Sequence, residues 1–263
     1  MELAGTVSIV TGAGSGIGEA IAKAFVAEGA KHVVVADVNE RNAQRVADEI
    51  GAAASAAAFD VADEADVRQV VADTENARGP VDVFVSNAGY GLGGGLELPD
   101  EEWTRMMDVH VWSHLYAARA VVPAMAERGN GYILNTASAA GLLTQMDSGP
   151  YAVSKHAAVA FAEWLSINYG DQGVKVSVLC PQAVRTNILG DRGDFADAGA
   201  RQAGQDGLLE PEDAATACVE AMRDERFLVL PHAEVETYFQ RKAGDYDRWL
   251  NGMRRFRRRL FGD

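Results

Sequence analysis

Short apolar runs alternate with longer segments of helical periodicity along most of the chain. Runs rich in β-branched residues occupy residues 7–11, 32–37, 81–85, 132–137 and 175–180. The segments between them repeat apolar residues at three- and four-residue steps, as Ile21 and Phe25 do. Strands that alternate with helices in this way predict βαβ units built around a parallel sheet.

One predicted strand lacks β propensity. Residues 52–60 are nearly all alanine, and propensity alone would make them helical. We nevertheless assign a strand there, because residues 39–50 and 63–77 are predicted helices and the βαβ order requires a strand between them. With a last short strand at residues 227–230, we predict an α/β fold. It comprises one three-layer domain over residues 1–263, with a doubly wound, mostly parallel seven-stranded sheet and a C-terminal helical extension.

A glycine-rich turn follows the first strand. Gly12, Gly16 and Gly18 separate that strand from the next helix with the spacing T-G-x-x-x-G-x-G. Glycines allow the backbone to turn sharply and to approach a pyrophosphate, whose charge then lies at the helix N-terminus. The alternative is a glycine-rich loop without a function, but the strand–helix context favours a dinucleotide site.

The second strand ends in a carboxylate at Asp37, 19 residues after Gly18. An aspartate there can accept hydrogen bonds from the ribose hydroxyls of adenosine, and it repels a 2′-phosphate. The next residue is Val38, so no arginine follows directly. Asp37 could instead cap the following helix, but the glycine turn upstream favours recognition of NAD. Other residues at strand ends that would border a dinucleotide are Asp60, Asn87, Ala88 and Gly89.

A tyrosine and a lysine stand four residues apart in a further predicted helix. Tyr151 and Lys155 would share one face of that helix. An ammonium beside a phenol favours the phenolate, so we expect the pKa of Tyr151 to fall below its usual value of about 10. A tyrosine tuned in this way can transfer protons near neutral pH. Such a pair is more often a solvated helix surface, so its meaning depends on the rest of the chain.

Composition narrows the class of protein. The 263 residues are 48% apolar and 24% charged, which is typical of a globular chain, and the net charge of −14 argues against nucleic acid as a partner. The two cysteines support no disulfide framework. No apolar run reaches about 18 residues, and residues 1–5 lack the basic start of a signal peptide. We therefore expect a cytoplasmic protein without a membrane partner.

The order of these motifs resembles that of the short-chain dehydrogenase/reductase family, in its compact single-domain form, over about residues 3–230. The resemblance implies a Rossmann fold. It also implies an NAD-dependent oxidoreductase that interconverts a secondary alcohol and a ketone and uses no metal. The residues that carry the resemblance are Thr11, Gly12, Gly16, Ile17, Gly18, Asp37, Asp60, Val61, Asn87, Ala88, Gly89, Ser138, Tyr151, Lys155, Pro181 and Thr186.

The resemblance further implies roles for single residues. Tyr151 would exchange a proton with the substrate oxygen, Lys155 would bind the nicotinamide ribose and lower the tyrosine pKa, and Ser138 would hydrogen-bond the substrate oxygen. Hydride would pass between the substrate carbon and C4 of the nicotinamide. Relatives that bind NADP often carry Arg or Lys at the position of Ser15, so this serine favours NAD. The implied cofactor-binding residues are Gly12, Ser15, Gly16, Ile17, Gly18, Asp37, Asp60, Val61, Asn87, Ala88, Gly89, Tyr151, Lys155, Pro181, Val184 and Thr186.

Two positions depart from the family pattern. His110 stands where the family usually has a catalytic asparagine that supports a water between the lysine and solvent. A histidine can also donate or accept a hydrogen bond, so we count His110 among the candidate catalytic residues. The alternative is that it only packs within its helix. Gln182 replaces a common glycine after the proline, and we expect it to reshape the nicotinamide end of the pocket.

The substrate side of the pocket is less defined. Residues 186–207 have weak periodicity over a length that suits a lid above a site. Candidates for the substrate wall are mostly apolar, which predicts a hydrophobic alcohol or ketone, although any of them could instead belong to the core or an interface. They are Tyr90, Leu92, Ala139, Leu142, Met146, Ile188 and Leu189.

A basic amphipathic extension covers about residues 232–263. Residues 241–263 hold eight Lys or Arg against three Asp or Glu, whereas the first 240 residues carry −19. A helix of this kind can bind a membrane or a partner, but the acidic body favours docking on the same subunit or a neighbour. Its apolar residues recur at helical steps, with arginines around the other faces: Trp249, Met253, Phe256 and Leu260.

Assembly and rival functions complete the expectations. The resemblance implies a homo-oligomer, a dimer or a tetramer, built on helices near residues 99–126 and 150–170. The histidine in place of asparagine leaves open a catalytically impaired NAD-binding sensor or scaffold. A nucleotide-sugar epimerase is disfavoured by chain length and a missing sugar-binding extension. DNA binding through the arginine-rich tail is disfavoured by the acidic body.

Overall fold

The computed structural model describes residues 1–186, 188 and 198–262, with only the backbone for 198–200. Its centre is a seven-stranded sheet in the order β3-β2-β1-β4-β5-β6-β7, and every strand pair is parallel. The predicted class and strand number are confirmed, and within the described residues the sheet is parallel throughout rather than mostly parallel. The strands are β1 (Val7–Thr11), β2 (His32–Asp37), β3 (Ala54–Ala58), β4 (Val83–Ser86), β5 (Gly131–Thr136), β6 (Val174–Leu179) and β7 (Leu228–Val229).

Helices cover both faces of the sheet and produce three layers. They are α1 (Gly16–Ala27), α2 (Glu40–Ile50), α3 (Glu64–Arg78), α4 (Asp100–Met107), α5 (Ser113–Glu127), α6 (Ala140–Leu143), α7 (Gly149–Tyr169), α8 (Ala198–Ala203), α9 (Pro211–Arg223), α10 (Glu234–Gly244) and α11 (Tyr246–Phe261). The helices α1, α2 and α9 share one hydrophobic core with the sheet, and α3, α5 and α7 share the other. Neighbouring strand residues alternate between these cores, as Ile9 and Val10 do.

The alanine-rich strand β3 forms as the βαβ order predicts. It pairs with β2 in a register that runs from Val33 and Ala54 to Asp37 and Ala58. These backbone hydrogen bonds to a strand rich in valine outweigh the helix propensity of alanine. Because β3 lies at the edge of the sheet and its side chains are only partly buried, small side chains suffice there.

The strand order reverses between β1 and β4, which lie side by side. In open α/β sheets, ligands bind beyond the carboxyl ends of the strands at such a point. Gly12 follows β1, and a Cβ on Gly12 would lie 2.8 Å from the Cα of Ala88, which follows β4. Only glycine permits this approach, so the turn after β1 closes directly onto the end of β4.

The long helix predicted from residue 99 to about 126 is interrupted by one turn of π-helix. The segment Asp108–Trp112 joins α4 to α5 and contains His110. A π turn holds an extra residue and changes the direction of the side chains that follow it. His110 is fully buried, and a Cβ on Gly89 would lie 3.1 Å from its Nε2. The interruption therefore brings the histidine to the carboxyl ends of the strands.

The C-terminal extension folds onto its own subunit as α10 and α11. Trp249 packs against one of the two hydrophobic cores, and Arg201 of α8 donates a hydrogen bond to the carbonyl of Leu260 at 3.2 Å. Of the predicted lid at residues 186–207, residues 187 and 189–197 lie outside the described residues. In the part of the chain that is described, no helix is long and apolar enough to cross a bilayer.

Candidate active site

The start of α7 places the tyrosine and the lysine. Ser148 caps this helix, since its Oγ accepts a hydrogen bond from the backbone N–H of Tyr151 at 3.2 Å. Pro150 occupies the first turn, where its missing N–H is not needed. Lys155 follows one turn later on the same face. Ser138, two residues beyond β5, lines the same cavity as both side chains and His110, so the structure brings the four candidate catalytic residues together.

Lys155 is a buried cation. It is 3% exposed, and its Nζ donates a hydrogen bond to the carbonyl of Thr136 at 3.0 Å. The Nζ lies 5.7 Å from the centroid of the Tyr151 ring. Burial lowers the pKa of Lys155 to about 8, so the ammonium form still predominates at neutral pH. The active site therefore contains a positive charge that is held by the strand end.

The prediction that the pKa of Tyr151 falls below its usual value is wrong. Burial raises the pKa of Tyr151, and a hydrogen bond with the Ser138 side chain opposes this effect without cancelling it. The ammonium of Lys155 donates to Thr136 instead of the phenol oxygen. Loss of solvation of the phenolate thus outweighs the neighbouring charge. The phenol is protonated at neutral pH.

Ser138 presents a hydroxyl beside that phenol. Its Oγ accepts a hydrogen bond from the backbone N–H of Ala140 at 3.1 Å, which fixes the oxygen at the start of α6. Its contact with the carbonyl of Pro181 is long, at 3.5 Å, and therefore weak. The hydroxyl proton can turn toward another acceptor in the cavity, such as a substrate oxygen.

His110 joins the loop after β4 to the catalytic helix. Its Nε2 accepts a hydrogen bond from the backbone N–H of Tyr90 at 3.2 Å, so in the neutral ring Nδ1 carries the proton. The Nδ1 lies 3.0 Å from the Oγ of Ser154 and donates to it. Ser154 in turn donates to the backbone carbonyl of Tyr151 at 3.1 Å. Burial lowers the pKa of His110 well below its ordinary value, so the ring is neutral.

These contacts change the interpretation of His110. Both ring nitrogens are engaged by protein groups, which leaves neither of them to hold the water that the family resemblance suggests. A Cβ atom added to Gly89 would lie 3.1 Å from Nε2 of His110 and 3.6 Å from Nζ of Lys155. His110 is therefore close to the lysine, and its observed hydrogen bonds give it a positioning role for α7.

A second histidine near the site was not identified from the sequence. His114 lies one turn after His110 and is buried, and neither of its nitrogens has a partner among the described residues. Burial lowers the pKa of His114 to about 3. The ring is consequently neutral, and it does not gain or lose a proton near neutral pH. A histidine at helical spacing gave no signal that would separate it from an ordinary core residue.

The glycine turn forms an open cradle at the N-terminus of α1. Gly12 and Gly16 have φ angles of 63° and 55°, in the left-handed region that favours glycine. A Cβ on Gly18 would lie 2.3 Å from the carbonyl oxygen of Gly12. Ser15, at the N-cap, makes no side-chain capping hydrogen bond. The first backbone N–H groups of α1, including that of Ile17, can therefore serve an anion.

Asp37 faces the same cradle. One carboxylate oxygen accepts a hydrogen bond from the backbone N–H of Gly14 at 3.0 Å, and the other accepts one from Asn39 at 2.9 Å. Val38 is exposed and lines the cavity beside it. The nearby guanidinium of Arg45 is held by Glu19 and Glu49. Among the described residues, neither Arg41 nor Arg45 lines the cavity beside Asp37, where a 2′-phosphate would lie.

Asn87 holds three strand ends together. Its side-chain amide donates to the carbonyl of Thr11 at 3.1 Å and accepts from the hydroxyl of Thr136 at 3.1 Å. Its backbone N–H donates to the Thr11 hydroxyl at 2.9 Å. These bonds join β1, β4 and β5 and give Asn87 a positioning role. Its contact with a ribose stays a prediction, and Ala88 and Gly89 follow it along the cavity.

An arginine that the sequence did not single out borders the site at Asp60. Arg105 of α4 places its Nη2 2.8 Å from Oδ2 of Asp60, and Oδ1 accepts from the N–H of Ala62 at 3.0 Å. Both partners and Val61 line the cavity. Because the two side chains are exposed, this ion pair stabilises the fold by about 0–1 kcal/mol. Its main effect is to orient the carboxylate beside the cleft.

The loop after β6 reaches the glycine turn. Pro181, Val184 and Thr186 line the cavity, and the Cγ2 of Thr186 would lie 2.9 Å from a Cβ on Gly16. Gln182, the second departure from the family pattern, donates from Nε2 to Asp206 at 2.9 Å. This glutamine thereby links the loop to the segment that follows α8.

The cavity measures about 930 Å³, and the predicted substrate wall is only partly observed. Tyr90, Leu92, Ala139 and Ile188 line it. Two predictions are wrong, because Leu142 is buried in a hydrophobic core and Met146 does not line the cavity, where Leu143 and Gln145 stand instead. Leu189 lies outside the described residues.

The C-terminal extension supplies the rest of the wall. Side chains of α10 and α11 line the same cavity as the catalytic residues: Tyr238, Arg241, Trp249, Met253, Phe256 and Arg259. The sequence predicted an amphipathic helix here, but not that its apolar face would cover the site. A helical period indicates which face is buried and does not indicate against which element.

Comparison with known proteins gives concordant matches. A family model described as short chain dehydrogenase matches residues 6–196. A 1-deoxy-11-beta-hydroxypentalenate dehydrogenase of Streptomyces exfoliatus is 36% identical over 241 residues, which cover 89% of this chain and 86% of that one. A 2,5-dichloro-2,5-cyclohexadiene-1,4-diol dehydrogenase of Sphingobium indicum is 39% identical over 192 residues, or 72% and 76% of the two chains. A solved short-chain dehydrogenase/reductase from Burkholderia phymatum in complex with NAD is 32% identical, with a TM-score of 0.85 over 94% of this chain and 96% of that one.

Proposed function

Because the chain belongs to the short-chain dehydrogenase family, whose members are oxidoreductases, we propose that it interconverts a secondary alcohol and a ketone with NAD. The substrate we propose is an apolar small molecule. The observation that carries this proposal is the shared cavity. Tyr151, Ser138 and Lys155 line one part of it, and the glycine cradle with Asp37 lines another.

The residues of the cradle fit NAD. The pyrophosphate would lie against the uncapped N-terminus of α1, where Gly12 and Gly16 leave space for it. Asp37, oriented by two backbone N–H groups, retains acceptor capacity for ribose hydroxyls and repels a 2′-phosphate. Lys155 would bind the second ribose, as the family resemblance implies. When bound, NAD supplies the hydride acceptor at C4 of its nicotinamide.

The chain's own groups supply the proton and the positioning. In ketone reduction the Tyr151 phenol donates its proton to the substrate oxygen, and in alcohol oxidation the phenolate receives the hydroxyl proton. The Ser138 hydroxyl donates a hydrogen bond to the same oxygen and stabilises its developing charge. The ammonium of Lys155 favours the phenolate when it forms. The raised pKa of Tyr151 keeps the proton available for reduction near neutral pH.

The apolar nature of the substrate follows from the wall. Leu92, Leu143 and Ile188 from the body of the protein line the cavity together with Trp249 and other apolar side chains of α11. The names of the two relatives above refer to a hydroxypentalenate and to a chlorinated cyclohexadienediol. These names differ too much to assign one compound, and the proposal stops at an apolar secondary alcohol or ketone.

We also propose a homo-oligomer, a dimer or a tetramer, in the cytoplasm. The long helices that the family resemblance points to carry exposed apolar side chains, with Trp164 51% exposed and Ile167 80% exposed. Exposed groups of this size on one helix support an interface. Cys180 and Cys218 are free and buried, which suits a reducing compartment.

An activity screen tests the proposed function. Purified protein is mixed with NAD and a panel of secondary alcohols with apolar bodies, both neutral and carboxylated, or with NADH and the matching ketones, while NADH absorbance is recorded. We expect turnover of at least one apolar pair and weaker turnover with NADP. Binding of NAD by calorimetry without turnover across the panel would contradict the enzyme and favour the sensor or scaffold.

A further inference from the structure

We infer that the substrate carries an anionic group, such as a carboxylate, which Arg241 and Arg259 bind at the end of the cavity that α10 and α11 cover. The inference rests on the proposed function, since it concerns the same cavity and names the class of its substrate more closely. The substrate would thus have an apolar body, an alcohol or ketone at one end and a negative charge at the other.

The first observation is where the two arginines stand. Arg241 lies on α10 and Arg259 on α11, and both line the cavity that holds Tyr151 and Ser138. The extension also contributes apolar side chains to this cavity, among them Trp249. A ligand that fills the cavity can therefore contact a proton donor, apolar side chains and guanidinium groups. Such a lining suits an amphipathic ligand.

The second observation is that the extension is fixed to the catalytic helix. Lys242 is 8% exposed, and its Nζ donates to the carbonyl of Leu142 at 2.6 Å. The same Nζ lies 3.3 Å from Nε2 of His156, whose Nδ1 lies 2.8 Å from the carbonyl of Ala152. If His156 donates from Nδ1, its Nε2 accepts from the ammonium. Since His156 follows Lys155 directly, α10 is anchored next to the catalytic residues.

The third observation is the state of the two guanidinium groups. The Cζ of Arg241 lies 6.0 Å from the centroid of the Tyr238 ring, and that of Arg259 lies 5.3 Å from the centroid of the Phe256 ring. Within the described ranges neither arginine forms an ion pair, in contrast with Arg45. A ring beside a guanidinium restricts its position and leaves its N–H donors for another partner.

Carboxylates near this end of the cavity already have partners. Asp147 accepts from the side-chain amide of Gln145 at 2.6 Å. Asp206 accepts from Gln182 at 2.9 Å and from the hydroxyl of Tyr238 at 2.9 Å. Neither aspartate forms an ion pair with Arg241 or Arg259. An anionic ligand is the partner that suits donors of this kind, since guanidinium binds carboxylate through two parallel hydrogen bonds.

The charge of the whole chain makes such a site selective. The net charge is −14, so an anion is repelled by most of the surface and attracted only where basic residues gather. The arginine-rich helix α11 is such a place, and its side chains line the candidate active site. The sequence left several partners open for the basic extension. In this proposal its arginines bind a ligand within their own subunit.

A binding experiment with a matched pair of probes tests this inference. Octanoate and octanamide have the same apolar chain, and only octanoate is charged at neutral pH. We expect the protein with saturating NAD to bind octanoate about tenfold more tightly than octanamide in titration calorimetry. In the double variant Arg241→Gln and Arg259→Gln, that ratio is expected to fall to about one.

The matched control is Arg258→Gln, which removes one charge from α11 at a position that does not line the cavity. It is expected to keep most of the preference for octanoate. Equal affinities of the two probes for the wild type, or an unchanged ratio in the double variant, would overturn the anion site. Thermal melts of each variant show whether it is folded. Preference for octanoate without turnover in the activity screen would contradict the proposed function and leave the anion site standing.

Discussion

The Nδ1 of His110 lies 3.0 Å from the Oγ of Ser154, and this contact links the π-helical segment to the catalytic helix. The Ser154 hydroxyl donates a hydrogen bond to the backbone carbonyl of Tyr151. The other ring nitrogen of His110, Nε2, accepts a hydrogen bond from the backbone N–H of Tyr90. The neutral imidazole thus uses both of its nitrogens to fix two segments of the site. A histidine here acts on the tyrosine through its neighbours.

Replacing His110 separates this positioning role from simple packing. His110→Leu leaves the Tyr90 N–H and the Ser154 hydroxyl without their partner, so we expect the free energy of unfolding to fall by about 1–3 kcal/mol. We expect kcat to fall more than KM changes. His110→Asn restores one of the two hydrogen bonds and should recover part of kcat. Steady-state kinetics and urea unfolding of both variants measure these effects; equal kcat in all three proteins would show that the residue has no part in the reaction.

Cofactor preference depends on the charge of Asp37. In Asp37→Ala the carboxylate that repels a 2′-phosphate is lost, so we expect the ratio of kcat/KM for NADP over NAD to rise at least about tenfold, which corresponds to about 1.4 kcal/mol. Asp37→Asn is the matched control, since it keeps an acceptor for the Gly14 N–H without the charge. An intermediate ratio is expected for it. Equal use of the two cofactors by the wild type would contradict the assignment of NAD.

The buried cation at Lys155 is expected to cost stability. Its pKa of about 8 lies below the ordinary value of 10.5, so between these values the unfolded chain binds more protons than the folded one. The cost is complete below about pH 8 and disappears as pH rises through 10.5. Lys155→Met should therefore be more stable than the wild type at pH 7, by about 1–3 kcal/mol, while activity is lost.

Urea unfolding at pH 7 and at pH 10 measures this prediction. The advantage of Lys155→Met should be smaller at pH 10, because the wild type regains stability there. Lys175→Met serves as the control, since Lys175 is exposed and its removal should bring no such gain. A Lys155→Met protein that is less stable than the wild type at pH 7 would show that burial of the charge is not a cost.

The exposed apolar side chains of α7 predict that this helix forms a contact between subunits. Ile167→Glu places a charge where we expect a subunit contact, so the mass measured by light scattering should fall toward that of a monomer. Leu96→Glu is the control, because Leu96 is fully exposed but lies in the loop before α4 and not on α7. If the wild type is a monomer at micromolar concentration, or if Ile167→Glu leaves the mass unchanged, the proposed interface on α7 is wrong.

The fold could be predicted in detail because its signals are local. The β-branched runs specify most strands, and even the alanine-rich β3 follows once helices are recognised on both sides of it. The glycine turn and Asp37 are likewise set by backbone requirements within one βαβ unit. The family matches then confirm the class of enzyme that these motifs indicated.

Other features depend on contacts between distant segments, which the sequence does not contain as a pattern. The π-helical turn around His110 has no composition signal, and the anchor between Lys242 and His156 joins residues 86 positions apart. The direction of the Tyr151 pKa was also wrong, because burial depends on the whole fold whereas the neighbouring lysine could be seen in the sequence. The substrate wall on α11 was missed for the same reason.

The central claim is that Tyr151 transfers a proton during hydride exchange with NAD. The direct measurement compares NADH formation by the wild type and by Tyr151→Phe on the best alcohol of the screen, with NAD binding checked by calorimetry. The account predicts that Tyr151→Phe folds and binds NAD while its kcat falls by about 100-fold or more. A Tyr151→Phe protein that keeps kcat within a few-fold of the wild type would contradict it.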